Sequence, residues 1–243
     1  MEFLMGPKAS TFMLAGDGKP NAENREVMEK ALYLGGGSSR AAPNGNEKWL
    51  QSVKAFYRDT TIKLLEQKSF QLGTFKQVDI IRDVGNMAHV HFAAELFSLP
   101  LKTDDFKHGL FTEQQLYLIF AAEFICIFFD LDPPKSFSLR QQSYDATQKL
   151  GQFMQALVTS VRYGGKIAED LINKIRPADS NLKDYGIHMI AQLCKTAPDV
   201  DDLVWAHIMG TAGAMVANQG QLFAQVLDYL FTCLLYTSPS PRD

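Results

Sequence analysis

The feature that most constrains the fold is a helical pattern that continues without a break from residue 199 to residue 230. At the usual rise per residue such a helix is about 48 Å long, which is unusual for a compact domain. Asp201 and Asp202 lie at its start, where the positive end of the helix dipole favours acidic side chains. Helical periodicity also dominates the rest of the chain, without a convincing run of alternating strand residues. The predicted fold class is therefore all-α for the most part.

Glycine and proline breaks separate the other helices. The periodicity predicts helices over residues 24–34, 49–68, 77–99, 112–129, 138–163, 167–175 and 184–195. Thr112 and Gln115 resemble a capping sequence at the start of one helix, while Pro133 and the glycine pair at 164–165 end others. Residues 35–46 are rich in Gly, Ser, Pro and Asn, which predicts a flexible loop.

The charge and cysteine content argue against several classes of function. A net charge of -3 and an isoelectric point near 6.0 give no electrostatic reason to expect nucleic acid binding. Cys126, Cys194 and Cys233 are widely and irregularly spaced, which favours neither a disulfide framework nor a zinc site. Cys126 lies in an apolar run and is interpreted as a small buried side chain. This usage favours a reducing, cytoplasmic setting.

No membrane-spanning segment is predicted. The most apolar stretch, residues 118–129, contains Glu123 and is too short to cross a bilayer. The first residues have neither the basic region nor the apolar core of a secretory signal. We therefore expect a cytoplasmic protein that is peripheral to a membrane at most.

The long helix carries polar side chains on one broad face. At helical spacing this face comprises His207, Thr211, Asn218, Gln221 and Gln225. Polar groups on a buried helix must satisfy their hydrogen bonds, either among neighbouring helices or toward a cavity or ligand. Gly210 and Gly213 remove side chains at mid-helix, which suggests the close approach of another group. Spacing alone leaves helix packing and a ligand site open, and favours packing.

The sequence near the end of this helix resembles a known family. Ala217-Asn218-Gln219-Gly220-Gln221 matches the Ala-Asn-Gln-x-Gln motif of the fungal linoleate diol synthases, also called psi-factor-producing oxygenases. Further stretches at 77–84, 91–103 and 127–130 are similar to the same family, in consistent order along the chain from residue 12 to residue 230. Its members are fusions: an N-terminal haem dioxygenase forms a fatty acid hydroperoxide, and a C-terminal cytochrome P-450 domain isomerises it.

The resemblance implies both a fold and a function. Residues 1–230 would be a partial cytochrome P-450 fold, with its central helices up to the long I-type helix, and residues 231–243 look like a non-native adapter or vector tail. The implied activity is conversion of a fatty acid hydroperoxide to a dihydroxy fatty acid, with haem (heme) as the cofactor. A dioxygenase domain would lie in the same parent chain.

The motif also implies site residues. Asn218 would face the distal side of the haem and bind the hydroperoxide, because an amide donates and accepts hydrogen bonds without carrying a charge. Gln221, one turn later, would support Asn218 or the substrate carboxylate. Trp49 falls where cytochromes P-450 carry a Trp that contacts a haem propionate, although Lys54 follows at a different spacing from the family's basic residue. A core aromatic is the alternative for Trp49.

The residues that complete a haem-thiolate site are missing from the sequence. No Phe-x-x-Gly run leads to a Cys, and no Glu-x-x-Arg ion-pair motif is present. Without the axial sulfur the iron chemistry cannot proceed. We therefore assign no metal ligand and expect catalysis from the intact parent rather than from this chain.

Two rival interpretations stay open. Tyr185 and His188 match the Tyr-x-x-His spacing by which peroxidase-like dioxygenase domains pair a radical tyrosine with a haem histidine, which would place the chain in the other half of the fusion. A helical interaction module without catalysis is the second alternative. His89 and His91 are not interpreted as a metal site, because side chains two positions apart on a helix diverge.

Overall fold

A computed structural model describes residues 12–14, 16–32, 47–104, 106–175, 185–197 and 199–233, together with Leu4 and Leu182. The predicted loop at 35–46 and most of the predicted tail at 231–243 lie outside these residues. The described part of the chain is mostly α-helical, which confirms the predicted fold class.

The structure describes seven α-helices in chain order within these residues. They are α1 (Lys19–Leu32), α2 (Glu47–Lys68), α3 (Asn86–Phe97), α4 (Glu113–Phe128), α5 (Pro133–Ile175), α6 (Ile187–Thr196) and α7 (Gly210–Thr232). The π-helical segments π1 (Ile80–Gly85) and π2 (Asp202–Met209) lead directly into α3 and α7. Strands β1 (Phe70–Leu72) and β2 (Phe75–Gln77) form an antiparallel hairpin between α2 and π1.

The start of α4 shows how local sequence sets a helix boundary. The Thr112 hydroxyl accepts a hydrogen bond from the Gln115 amide at 3.3 Å, and the Gln115 side-chain oxygen accepts one from the Thr112 amide at 2.9 Å. These bonds satisfy backbone donors that have no partner inside the helix. The predicted capping sequence is confirmed.

Helix α5 contains the predicted glycine break but begins earlier than predicted. Gly165 has a φ of 54° and a ψ of -140°, outside helical values, and divides α5 where the sequence predicts the end of one helix. Glycine adopts this positive φ without a steric penalty. The first part begins at Pro133 rather than at residue 138, because a proline in the first turn lacks only an N–H that has no partner inside the helix.

The region predicted as one helix over 77–99 is different in the structure. Gln77 lies in β2 and pairs with Phe70, while Leu72 pairs with Phe75 across the turn. Gly73 has a φ of 62°, which suits a tight hairpin turn. Strands of three residues are too short to show an alternating pattern, and this is the physical reason that no strand was expected.

Asp79 sets the true start of this helical region. Its carboxylate accepts hydrogen bonds from the amides of Ile81 and Arg82, at 3.2 Å and 2.9 Å. The chain then winds through π1 into α3 and stops at Ser98, which has a left-handed φ of 55°. The end of the helix therefore agrees with the prediction, whereas its start does not.

The core lies around π2 and the first part of α7, the helix predicted over 199–230. Leu203, Val204, Ile208, Met209 and Ala212 have no exposed surface. Each large apolar side chain buried in this way contributes about 1.5–3 kcal/mol relative to exposure. Segment π2 packs against α5, and α7 packs against α3 and α4. We refer to π2 and α7 together as the central helix.

None of the helices in the described ranges combines the length and the apolarity that a bilayer crossing requires.

Candidate functional site

The predicted polar face of the central helix is divided by its surroundings. His207 and Thr211 are buried, whereas Asn218, Gln221 and Gln225 are exposed. The five side chains therefore do not form one site, contrary to what regular helical spacing suggests. The physical reason is position along the helix: π2 is covered by α5, and the first turn of α7 is covered by Glu123 of α4 opposite Gly213, whereas the residues from Asn218 onward have an uncovered side.

The exposed part of α7 forms an open face, which we define by Asn218, Gln221, Leu222, Val226 and Tyr229. Leu222 is 61% exposed, Val226 46% and Tyr229 65%. Within this face, the Nδ2 group of Asn218 donates a hydrogen bond to the Ala214 carbonyl at 2.8 Å, which holds the amide against its own helix. The open face thus presents two amides beside apolar side chains, at the position of the family motif.

Gln219 and Gly220, which lie between the two exposed amides of the motif, face the neighbouring helices. The Tyr57 hydroxyl of α2 donates a hydrogen bond to Gln219 Oε1 at 3.1 Å. A Cβ atom at Gly220 would lie 2.8 Å from Asn86 Oδ1 of α3, so this position keeps α7 close to α3. The motif residues therefore have two orientations. Asn218 and Gln221 face outward, and Gln219 and Gly220 between them face inward.

The contacts between α7 and its neighbours α2, π1 and α3 form a seam. On α7 it comprises Gln219, Gly220 and Phe223, and opposite them lie Tyr57, Gly85, Asn86 and His89. A Cβ atom at Gly85 would overlap the Phe223 ring, and the His89 ring meets Phe223 edge-on at 6.2 Å. On α7 the three seam residues occupy positions i, i+1 and i+4, and Gly85, Asn86 and His89 have the same spacing. Side chains at this spacing lie on one face of a helix.

Tyr57 and His89 are both neutral groups in the seam. Burial raises the pKa of the Tyr57 hydroxyl and lowers the pKa of His89 to about 4. The Tyr57 oxygen lies 2.9 Å from His89 Nδ1, and the rings meet edge-on at 5.4 Å. Sequence reasoning missed both residues, and it missed Gln219. A signal for Gln219 was present, because a polar residue on the same face as Met215 and Val216 requires a partner.

Glu123 of α4 faces the inner part of α7. The side chain is 2% exposed, and burial raises its pKa to about 8, so that the carboxyl is protonated at neutral pH. A Cβ atom at Gly213 would lie 2.6 Å from Glu123 Oε2, which confirms the close approach that this glycine suggests. Oε2 has no hydrogen-bond partner within the part of the chain that the structure describes.

Trp49 is half-buried and packs against the core. Its ring is 4.6 Å from that of Tyr185 and 6.2 Å from that of Phe92. This packing favours the interpretation of Trp49 as a core aromatic, and its contact with a haem propionate stays a prediction. Tyr185 is buried against Trp49, whereas His188 is exposed, so the two residues of the Tyr-x-x-His pattern point to different environments.

Potential metal ligands are separated from one another in the described ranges, where no group of His, Cys, Asp and Glu side chains could hold a metal ion. His89 contacts Tyr57, whereas His91 Nε2 lies 2.7 Å from Glu113 Oε1, so the two histidines diverge as expected. Cys126 is buried, and burial raises the pKa of its thiol. The interpretation of Cys126 as a small core side chain is confirmed.

Comparison with known proteins finds several relatives that match 90% or more of this chain. The chain is 47% identical to psi-producing oxygenase A of Emericella nidulans over 233 residues, which are 94% of this chain and 20% of that protein. It is 43% identical to a bifunctional dioxygenase–epoxy alcohol synthase of Fusarium oxysporum, over 99% of this chain and 17% of that protein. It is 28% identical to a 7,8-linoleate diol synthase of Pyricularia oryzae, over 90% of this chain and 21% of that protein.

The chain therefore spans about a fifth of the length of the curated relatives that it matches. No protein-family model and no solved structure matches it.

Proposed function

Because the chain belongs to the family of the fungal psi-producing oxygenases and linoleate diol synthases, we propose that it is a segment of the half that isomerises fatty acid hydroperoxides. Its relatives are named as dioxygenase–epoxy alcohol synthases and diol synthases, that is, enzymes of fatty acid oxygenation. The observation that carries the proposal is the open face of α7, where the amides of Asn218 and Gln221 stand exposed on a helix whose first part is buried.

Asn218 has the chemistry needed to hold a hydroperoxide. Its Nδ2 group already donates one hydrogen bond to the Ala214 carbonyl, which fixes the plane of the amide. The amide has a further N–H and an oxygen acceptor, so it can donate to one peroxide oxygen and accept from the O–OH proton. Since an amide carries no charge, it needs no counter-ion in an apolar substrate site. Gln221, one turn later, supports Asn218 or binds the fatty acid carboxylate.

The open face also fits one side of a haem. Leu222 and Val226 supply exposed apolar surface for a flat, apolar ring, and the amides supply hydrogen bonds beside it. A haem bound there would supply the cleavage of the O–O bond. The axial thiolate would come from another part of the enzyme, because no Phe-x-x-Gly run leads to a Cys in this sequence and Cys126 is buried in the core. The chain by itself is therefore proposed to be inactive.

The proposal is tested in the full-length enzyme that contains this segment, with the fatty acid hydroperoxide supplied directly. Asn218→Leu keeps the approximate size of the side chain and removes the amide. We expect normal haem content and dioxygenation, but a loss of isomerisation on the order of 100-fold. Gln221→Leu should have a smaller effect. The measurement is the product distribution by mass spectrometry.

Gln142→Leu serves as the control, because Gln142 is an exposed glutamine on α5, away from the open face. Unreacted hydroperoxide should accumulate with Asn218→Leu and not with Gln142→Leu. Unchanged diol or epoxy alcohol formation by Asn218→Leu would show that the exposed amides have no part in the reaction.

A further inference from the structure

The direction of the hydrogen bonds in the seam can be worked out from the number of protons available. The Tyr57 hydroxyl has one proton, which it donates to Gln219 Oε1 at 3.1 Å. The contact of 2.9 Å between the Tyr57 oxygen and His89 Nδ1 must then use a proton on the histidine. His89 therefore carries its proton on Nδ1, and the chain of donors runs from His89 through Tyr57 to Gln219.

The opposite direction is less favourable. If Tyr57 donated to His89 Nδ1, the neutral ring would carry its proton on Nε2. His89 Nε2 is buried and has no hydrogen-bond partner among the described residues. A buried N–H without a partner costs more than a buried nitrogen that merely lacks a donor, and such donors are rare in native proteins.

The seam also lies directly behind the open face. Gln219 is the neighbour of Asn218, and Gly220 is the neighbour of Gln221, so a rotation of α7 that moved the inward pair would move the outward pair by the same angle. The Tyr57 ring is itself held between aromatic neighbours, with Phe92 at 5.2 Å and Phe56 at 5.6 Å. The Tyr57 side chain is therefore held in place by its aromatic neighbours, and its hydrogen bond to Gln219 connects α7 to α2.

We propose that His89, Tyr57 and Gln219 form one hydrogen-bonded positioning unit that fixes the rotation of α7 and so directs Asn218 and Gln221 toward the hydroperoxide. This inference rests on the proposed function for the role of Asn218. The three residues touch neither substrate nor haem in this account, and they act only through the orientation of the helix.

The first test is the protonation of His89 in the 243-residue chain, measured by ¹⁵N NMR of the imidazole nitrogens at neutral pH. The expected result is a proton on Nδ1 and none on Nε2. Tyr57→Phe removes the acceptor and should shift the proton toward Nε2, whereas Tyr163→Phe, at a tyrosine that is 78% exposed, should not. A wild-type His89 protonated on Nε2 would overturn the proposed unit.

The second test uses the full-length enzyme that contains this segment. Gln219→Met keeps the length of the side chain and removes its acceptor, so kcat per bound haem for hydroperoxide conversion should fall on the order of 10-fold, with KM nearly unchanged. Gln219→Glu retains an oxygen acceptor for Tyr57 and should restore most of kcat. A residue that only stabilised the fold would change haem content or thermal stability and leave kcat per haem unaltered.

The two proposals fail in different ways. If Asn218→Leu leaves isomerisation unchanged, the proposed function is wrong, while the NMR result still decides the hydrogen-bond direction. If Asn218→Leu removes activity but Gln219→Met retains full kcat per haem, the open face is correct and the positioning unit is wrong.

Discussion

The two halves of the central helix differ in what surrounds them. The inner half, residues 202–216, is enclosed by neighbouring helices, and Leu203, Val204 and Ala212 have no exposed surface. The outer half, residues 217–232, is attached to the protein along the seam and is exposed on its open face. One continuous helix thus has a part that belongs to the core and a part that is available to a ligand.

Polar side chains have different consequences in the two halves. In the inner half burial lowers the pKa of His207, and it raises the pKa of Glu123, which lies on α4 opposite Gly213. In the outer half the amides of Asn218 and Gln221 remain exposed. We therefore expect the inner half to determine stability, and the proposed function assigns recognition to the outer half. The following predictions test this division.

The largest effect is expected from removing a core leucine of the inner half. Leu203 has no exposed surface, so Leu203→Ala leaves a cavity and should lower the free energy of unfolding by about 3 kcal/mol. Leu222→Ala, at a leucine that is 61% exposed on the same helix, should change it by less than about 0.5 kcal/mol. Urea denaturation of both variants measures the difference. Equal losses would contradict the division into two halves.

The second prediction concerns the pH dependence of stability. Burial raises the pKa of Glu123 to about 8, above the value of 4.5 for an exposed glutamate, so the folded state binds the extra proton and loses stability as pH rises. His89 acts in the opposite sense, but only up to its ordinary value of 6.5, because its folded pKa is lowered to about 4. Between pH 6.5 and 8 the loss should be about 2 kcal/mol.

Glu123→Gln separates this contribution from all other titrations. The amide is nearly the same size as the protonated carboxyl and does not titrate, so the variant should lose the fall in stability between pH 6.5 and 8. Denaturation curves at three pH values decide the question. A wild-type slope that persists in Glu123→Gln would mean that another group causes it.

A smaller loss of stability is expected when a side chain is added at Gly213. Gly213→Ala places a Cβ atom 2.6 Å from the buried carboxyl of Glu123, and the strain should exceed the gain in helix propensity by about 1 kcal/mol. Gly220→Ala meets the half-buried Asn86 side chain at 2.8 Å, which has more room to move and should cost less. Thermal unfolding compares the two variants. When Glu123 is already replaced by Ala, Gly213→Ala should cause no further loss of stability. A further loss in this double variant would contradict the contact between Gly213 and Glu123.

Local signals in the sequence predicted much of the fold. The capping pair at Thr112 and Gln115 and the break at Gly165 act within a few residues, so the sequence contains their complete physical cause. The hairpin at Gly73 and the π-helical segments were not predicted. The strands are too short for a period, and the π-helical segments, Ile80–Gly85 and Asp202–Met209, are too short for their wider spacing to be distinguished from that of an α-helix.

The candidate site could be predicted only in part. The motif singled out Asn218 and Gln221; both side chains are exposed on α7, and their role in a site stays a prediction. The partners of Gln219 are Tyr57 and, through it, His89, which lie more than a hundred residues earlier in the chain. Such a contact depends on how α7 packs against α2 and α3, and single-sequence periodicity does not contain that information.

The proposal that Asn218 faces the haem can be tested by a substitution that gives a spectroscopic signal. In the full-length enzyme, Asn218→His would place an imidazole where a nitrogen can ligate the iron. The control is Gln142→His, at the exposed position on α5 that lies away from the open face. We expect a six-coordinate, low-spin ferric haem with a shifted Soret band for Asn218→His, and an unchanged spectrum for Gln142→His. A haem-loaded Asn218→His enzyme with an unaltered spectrum would show that Asn218 does not face the haem.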